Sequence, residues 1–223
     1  MNFDSILEIA IGGYPDAFIS GLEKAKADNY IVSERTLIKG VSRNGLFLKY
    51  IDEPAKTIPV CIAAVKENGD AFQYVSEEDK GVSILEALQA SDPLPQNNVA
   101  LEALKTNGAA LRFMSDLSDN ANICIFAAAS NGSSLEHMSP TMLATPAALP
   151  IFQAAIRQTP FAIEYIKPEY FSDIAEYYAI CKSAVEKRGE LLRHVVNPNA
   201  EVCEAAVRSN SYAIRWVPTT LSG

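Results

Sequence analysis

The chain has 223 residues, 48% of them hydrophobic and 21% charged, and its 19 basic against 27 acidic side chains give a formal net charge of -8. So much apolar content excludes a disordered chain, and the negative field disfavours a nucleic-acid partner, because each phosphate contact needs a local Lys or Arg. No run of 18 apolar residues occurs, so no membrane span is expected, and Asp4 and Glu8 interrupt the apolar N-terminal run that could otherwise serve as a leader, which points to a cytoplasmic protein.

Residues 1–32 come first, with Phe3, Ile6, Leu7, Ala10 and Ile11 at helical spacing and Pro15-Asp16 as a second helix start; they read as an N-terminal helical cap. From residue 33 to 223 a short phrase recurs seven times. Its turn residue, the anchor, falls at Gly45, Gly69, Gly108, Gly132, Pro160, Gly189 and Ser211, with intervals of 24, 39, 24, 28, 29 and 22 residues. Five residues before the anchor each copy has a small residue: Gly40, Ala64, Ala103, Ala127, Ala155, Ala184 or Ala206. Three after it each copy is apolar, four after it each is polar, and six after it each is apolar again. Cysteine placement, which plays no part in that alignment, agrees with it: Cys61, Cys124, Cys181 and Cys203 all lie eight residues before an anchor. Four cysteines scattered at random over a 24-residue unit would share one register about once in ten thousand trials.

Small and apolar residues at minus eight, minus five and minus four follow the i, i+3, i+4 rule and predict a helix ahead of each anchor. Ser33, Thr57, Asn120 and Asn199 mark its starts, with Pro59 and Pro150 suited to a first turn. The Asn-Gly pair marks its end, with the glycine expected at a left-handed C′ position. Apolar residues two, three, five and six after the anchor predict a short second helix at 100° per residue; a strand is the competing reading. Between Gly69 and Gly108, near 77–96, the extra stretch predicts an inserted helix and loop, with a possible seam there. The expected fold is all-α, with helical hairpins forming an α-solenoid or compact helical array.

The phrase resembles a family of tandem repeats of the domain-of-unknown-function class, found in intracellular bacteria such as Legionella relatives and in protists, whose unit looks like A-V-x-x-N-G-x-A-L-x-Y-A. The stretches Ala64-Val65-Lys66-Glu67-Asn68-Gly69-Asp70-Ala71-Phe72-Gln73-Tyr74 and Ala103–Leu111 are similar to it, while the copies at Pro160, Gly189 and Ser211 depart at the Asn-Gly. The resemblance covers most of residues 33–219. It implies a bacterial effector or interaction module, acting in the host cytosol if translocated, and it carries no catalytic residues.

Little in the chain signals chemistry. The four cysteines occupy one core column with no C-x-x-C pair, and His137 and His194 stand in an otherwise aromatic column, so packing is the expected role of both sets and no metal or cofactor is expected. No phosphate loop follows the Asn-Gly pairs. Ser76-Glu77-Glu78-Asp79 lacks the alternating oxygens of a calcium loop and reads as a helix start. Lys66, Lys105, Arg157 and Arg208 all lie three before their anchors and are expected to form a basic ladder, serving either the helix dipoles or an acidic partner. Six of the 19 aromatic residues fall between Phe161 and Tyr178, and two readings stand: packing between hairpins, or a partner surface including Tyr170 and Phe171, which lie outside the recurring columns and which the repeat core would then not require. The sequence thus points to a non-catalytic helical-repeat scaffold that binds another protein, bacterial or host, as an effector or as a regulator or inhibitor of another effector or toxin. An enzyme with a site between hairpins is the alternative.

Overall fold

The computed structural model describes residues 2–89 and 98–219. Every regular element among them is helical, and the chain divides into two compact units, Met1–Met114 and Ser115–Gly223. The division follows the third anchored segment, whereas the 77–96 insertion lies inside the first unit.

In the first unit, α1 (Phe3–Ile11) and α2 (Pro15–Ala27) precede α3 (Glu34–Val41), α4 (Ile58–Glu67), α5 (Glu77–Gln89) and α6 (Val99–Thr106). Successive packing joins α1 to α2 and α3, α3 to α4, α4 to α6, and α5 to α6. Phe18 of α2 lies so close over Gly40 of α3 that a Cβ there would overlap its ring, which accounts for the one glycine in the small column. The second unit contains α7 (Ala121–Ser130), the short α8 (Pro140–Leu143), α9 (Ala148–Gln158), α10 (Ile174–Lys187) and α11 (Ala200–Ser209), with α7 packed on α9, α9 on α10 and α10 on α11.

Helix starts follow the sequence at three of the four expected caps. Ser33, Asn120 and Asn199 accept hydrogen bonds from the backbone N–H groups of Thr36, Ile123 and Val202. Thr57 does not cap: its hydroxyl donates to Glu34 Oε1 at 2.5 Å and so ties α4 to α3. Asn98 is an additional cap. Its buried Oδ1 accepts from Leu101 N and from Ser83 Oγ, and its amide donates to Ser83 O, so α5 is pinned to the start of α6. The rest of the expected insertion, residues 90–96, lies outside the described residues.

Each anchor opens a six-residue 3-10 helix, at Gly45–Tyr50, Gly69–Tyr74, Gly108–Phe113, Gly132–His137, Pro160–Tyr165, Gly189–His194 and Ser211–Trp216. This corrects two expectations. The second segment turns at three residues per turn rather than 3.6, so positions two and five after the anchor eclipse each other, the polar position four falls on another ridge, and position six is the non-helical residue that ends the segment. Nor is the glycine left-handed, since no described glycine has positive φ. The residue before it makes the corner instead: Asn68, Asn107, Asn131 and Asn210 are extended, with φ from -145° to -149°, and each side chain accepts a hydrogen bond from the N–H two residues on.

Glycine is required at the anchor by a close approach. A Cβ on Gly69 would lie 2.5 Å from the carbonyl oxygen of Ala103, and one on Gly132 would lie 2.8 Å from that of Ala155. At Gly45 and Gly189 it would meet the carbonyls of Ala64 and Ala206, closer still. All four carbonyls belong to the small column of the next anchored segment, and each also accepts the N–H that closes the last turn of its own helix. The two columns are therefore two sides of one backbone joint.

Candidate protein-binding groove

The expected partner residues fall in different places. Lys66 and Lys105 project from the packed pair α4 and α6 of the first unit, both exposed, and Lys105 has Glu102 Oε1 at 3.9 Å. In the second unit the basic ladder is interrupted: α10 lies against both α9 and α11, and between Arg157 and Arg208 it presents Glu186 at the corresponding position. Arg208 pairs with Glu204 at 3.2 Å.

Arg157 and the aromatic pair line two adjacent clefts. Leu149, Gln153, Ile156 and Arg157 of α9 face Glu176, Ala179, Ile180 and Ser183 of α10 across a cleft of about 380 Å³. Leu149 and Glu176 also border a second cleft of about 190 Å³, lined by Thr145, Phe152, Tyr170, Phe171 and Asp173, so the two are neighbours with a shared wall. The helix faces explain the lining. Positions 149, 153 and 156 on α9, and 176, 179, 180 and 183 on α10, follow the i, i+3, i+4 rule, each forming one stripe beside the buried face. Ile156 and Ile180 form an apolar floor, and Arg157 and Glu176 place opposite charges along it.

Tyr170 and Phe171 are half-buried rather than free. The Tyr170 ring stacks on Phe152 at 6.2 Å between centroids, and Phe171 lies 5.1 Å from Phe152 and 5.6 Å from Tyr177. This corrects the expectation that the helical core does not require them: Phe152 is itself a core residue, at the position where other copies carry cysteine. Tyr177 is fixed in turn, its hydroxyl donating to Val196 O at 3.1 Å and accepting from Val196 N at 2.9 Å, and burial pushes its phenol well above the usual range. One edge of each ring closes the end of the groove.

The neighbouring cleft between α10 and α11 has a different character. Lys182, Glu186, Glu201, Glu204 and Arg208 line it, and Lys182 pairs with Glu201 at 2.5 Å, which holds the Glu201 carboxyl below and the Lys182 ammonium above their ordinary values. Four of its five charges are paired with one another, Lys182 with Glu201 and Arg208 with Glu204.

A further cleft in the first unit, of about 580 Å³, escaped the sequence reading. Leu22, Lys26, Tyr30, Ile31, Tyr50 and Ala55 line it, the Lys26–Asp52 ion pair at 2.7 Å bridges its rim, and Ile31 is 90% exposed. The available signal was Tyr30-Ile31-Val32, an apolar triplet outside every recurring column.

All four thiols are buried and unbridged, and desolvation pushes Cys61, Cys124 and Cys181 up to about 12 and raises Cys203 as well. Among the described residues no cluster of three His, Cys, Asp or Glu is placed to hold a metal, and no helix is long and apolar enough to cross a membrane. No protein-family model, curated protein or solved structure matches the chain.

Proposed function

We propose that the protein is a non-catalytic helical-repeat scaffold that binds another protein through the α9–α10 groove of its second unit. In this reading the seven α/3-10 pairs are repeats of an α-solenoid or compact helical array, similar to the domain-of-unknown-function repeats of intracellular bacteria and protists. Its role is that of a cytoplasmic effector, or of a regulator or inhibitor of another effector or toxin. One observation carries the binding surface: the cleft with Arg157 and the apolar floor shares its Leu149 and Glu176 walls with the cleft lined by Tyr170 and Phe171, whereas four of the five charges in the adjacent α10–α11 cleft are paired. An apolar floor flanked by unlike charges and closed by aromatic rings has the make-up of a protein-binding hot spot.

A photo-crosslinking residue placed at Gln153, exposed inside the groove, should trap a defined protein in lysate of the producing cell or its host, and Arg157→Glu should abolish that adduct. The same residue at Ser209, in the α10–α11 cleft, is the control. Equal adducts at both positions, or an adduct indifferent to Arg157→Glu, would remove the groove from consideration.

A further inference from the structure

The two clefts that flank α10 differ in what their polar groups do. Seven residues before the anchor, the first four copies carry Ile38, Ile62, Leu101 and Ile125, whereas the last three carry Gln153, Lys182 and Glu204. In the α10–α11 cleft the last two are spent, Lys182 on Glu201 and Glu204 on Arg208. In the α9–α10 cleft the polar groups are unspent: among the described residues Arg157 and Glu176 have no ion-pair partner and the side chains of Gln153 and Ser183 make no hydrogen bond, although all four line the cleft and are exposed.

These groups have a definite layout. Helices α9 and α10 run in the same direction, since Leu149 and Glu176 near their starts border the same two clefts, and Lys187 at the end of α10 donates to Ile156 O near the end of α9 at 2.9 Å. Arg157 follows Leu149 by eight residues, which places it about 12 Å along the groove from the Glu176 end. Gln153 lies halfway. The floor between them is already covered, with Ile156 2% and Ile180 5% exposed, so it supports an occupant without offering it much apolar area.

That layout selects an extended chain over a helix. A helix pairs its main-chain groups internally and docks by an apolar face, so it would cover the Gln153 amide and the Ser183 hydroxyl and leave them without partners. An extended segment carries free N–H and C=O groups, and a single Gln amide can both donate and accept along it. At about 3.3 Å per residue, 12 Å corresponds to three or four residues. Acidic and basic side chains with that separation would meet Arg157 and Glu176, and neither charge would be covered alone.

Resting on the reading of the α9–α10 groove as the binding surface, we propose that its occupant is an extended segment of the partner protein, its main chain clamped by Gln153, with an acidic side chain on Arg157 and a basic one, three or four residues away, on Glu176.

A displayed library of linear peptides, randomised at every position and selected on the full chain, tests this. Enriched peptides should pair an acidic with a basic residue three or four apart in one order, and selection on Arg157→Glu/Glu176→Arg should enrich the opposite order. Gln153→Ala should weaken the best enriched peptide about tenfold, through main-chain hydrogen bonds that a docked helix would not make. The substituted side chains are exposed, so melting temperatures should hold. If the charge exchange unfolds the chain, Arg157→Gln/Glu176→Gln should instead enrich peptides that lack the charge pair. No enrichment, charges spaced seven apart as on one face of a helix, or a motif indifferent to the altered charges would each overturn the proposal. A photo-crosslinking residue at Ala179, exposed in the same cleft, leaves Gln153 intact and separates the two failures. An adduct lost with Arg157→Glu but no linear motif would remove the extended segment and keep the groove; neither adduct nor motif would remove both.

Discussion

The joint at Gly189 and the groove between α9 and α10 share one helix, and they follow opposite rules. At the joint, the C-terminal end of α10 leads into a glycine pressed against the backbone of α11, where a Cβ would meet the Ala206 carbonyl and lie 2.9 Å from Asn210 N. At the groove, the Glu176–Ser183 face of the same helix carries side chains that differ from those of the neighbouring cleft. Backbone contact leaves little room to vary, so glycine recurs at five of the seven anchors; surface chemistry is free to vary, so it does not recur. The repeating part of the sequence describes how the chain holds together, and the unrepeated part is where recognition can be built.

The sharpest way to break that comparison is at the joint. Gly189→Ala forces a methyl group into backbone that cannot yield and should cost about 3 kcal/mol, the upper range for overpacking, in urea unfolding. Gly81→Ala, in the exposed run of α5 with nothing within 4 Å, should gain about 0.5–1 kcal/mol from helix propensity. Similar effects at both sites would mean that close approach is not what selects the anchor glycine. The groove end is tested next. Phe171→Ala removes a half-buried ring from Phe152 and Tyr177 and should cost about 2 kcal/mol, less than a full core Phe. No loss of stability would return the ring to the partner surface alone.

The third effect is smaller for each group and concerns the buried thiols. Because the folded protein holds Cys61, Cys124 and Cys181 up to about 12 against an ordinary thiol value of 9.0, the unfolded chain releases these protons first. Their contribution to stability is complete below pH 9 and is lost as pH rises towards 12, by about 1.4 kcal/mol per pH unit for each thiol. Cys124→Ala should flatten that alkaline limb by one proton's worth, and an unchanged slope would show that this thiol ionises as readily in the folded chain as in the unfolded one.

The helices before the anchors were legible because their faces are written locally, at minus eight, minus five and minus four. Three-residue periodicity after the anchor was present as well, in polar pairs such as Asp70 and Gln73 or Ser133 and Glu136, but the apolar residues alone fit a 100° helix equally well. The purpose of the glycine was not legible. It depends on a carbonyl one segment further along the chain, Ala103 for Gly69, and no local pattern reports a distance between them. Between the two readings of Phe171 the local sequence could not choose, for the same reason: its partner Phe152 belongs to the preceding copy's core column. The first-unit cleft was not legible because Tyr30 and Ile31 line it only once Leu22 and Tyr50 are brought beside them.

The asparagines at the corners have a consequence for chemical ageing. Asn44, Asn68, Asn107 and Asn131 each precede a glycine, the pairing most prone to cyclise and lose its amide in a mobile chain, because the next backbone nitrogen can reach the side-chain carbonyl carbon. Here each amide oxygen is held by the N–H two residues on, at 3.0–3.1 Å, and the three whose backbone closes a helix are fixed in an extended corner. Deamidation at these four sites is therefore gated by opening of the corners, and the rate at which new carboxylates accumulate in a stored sample becomes a clock for local unfolding.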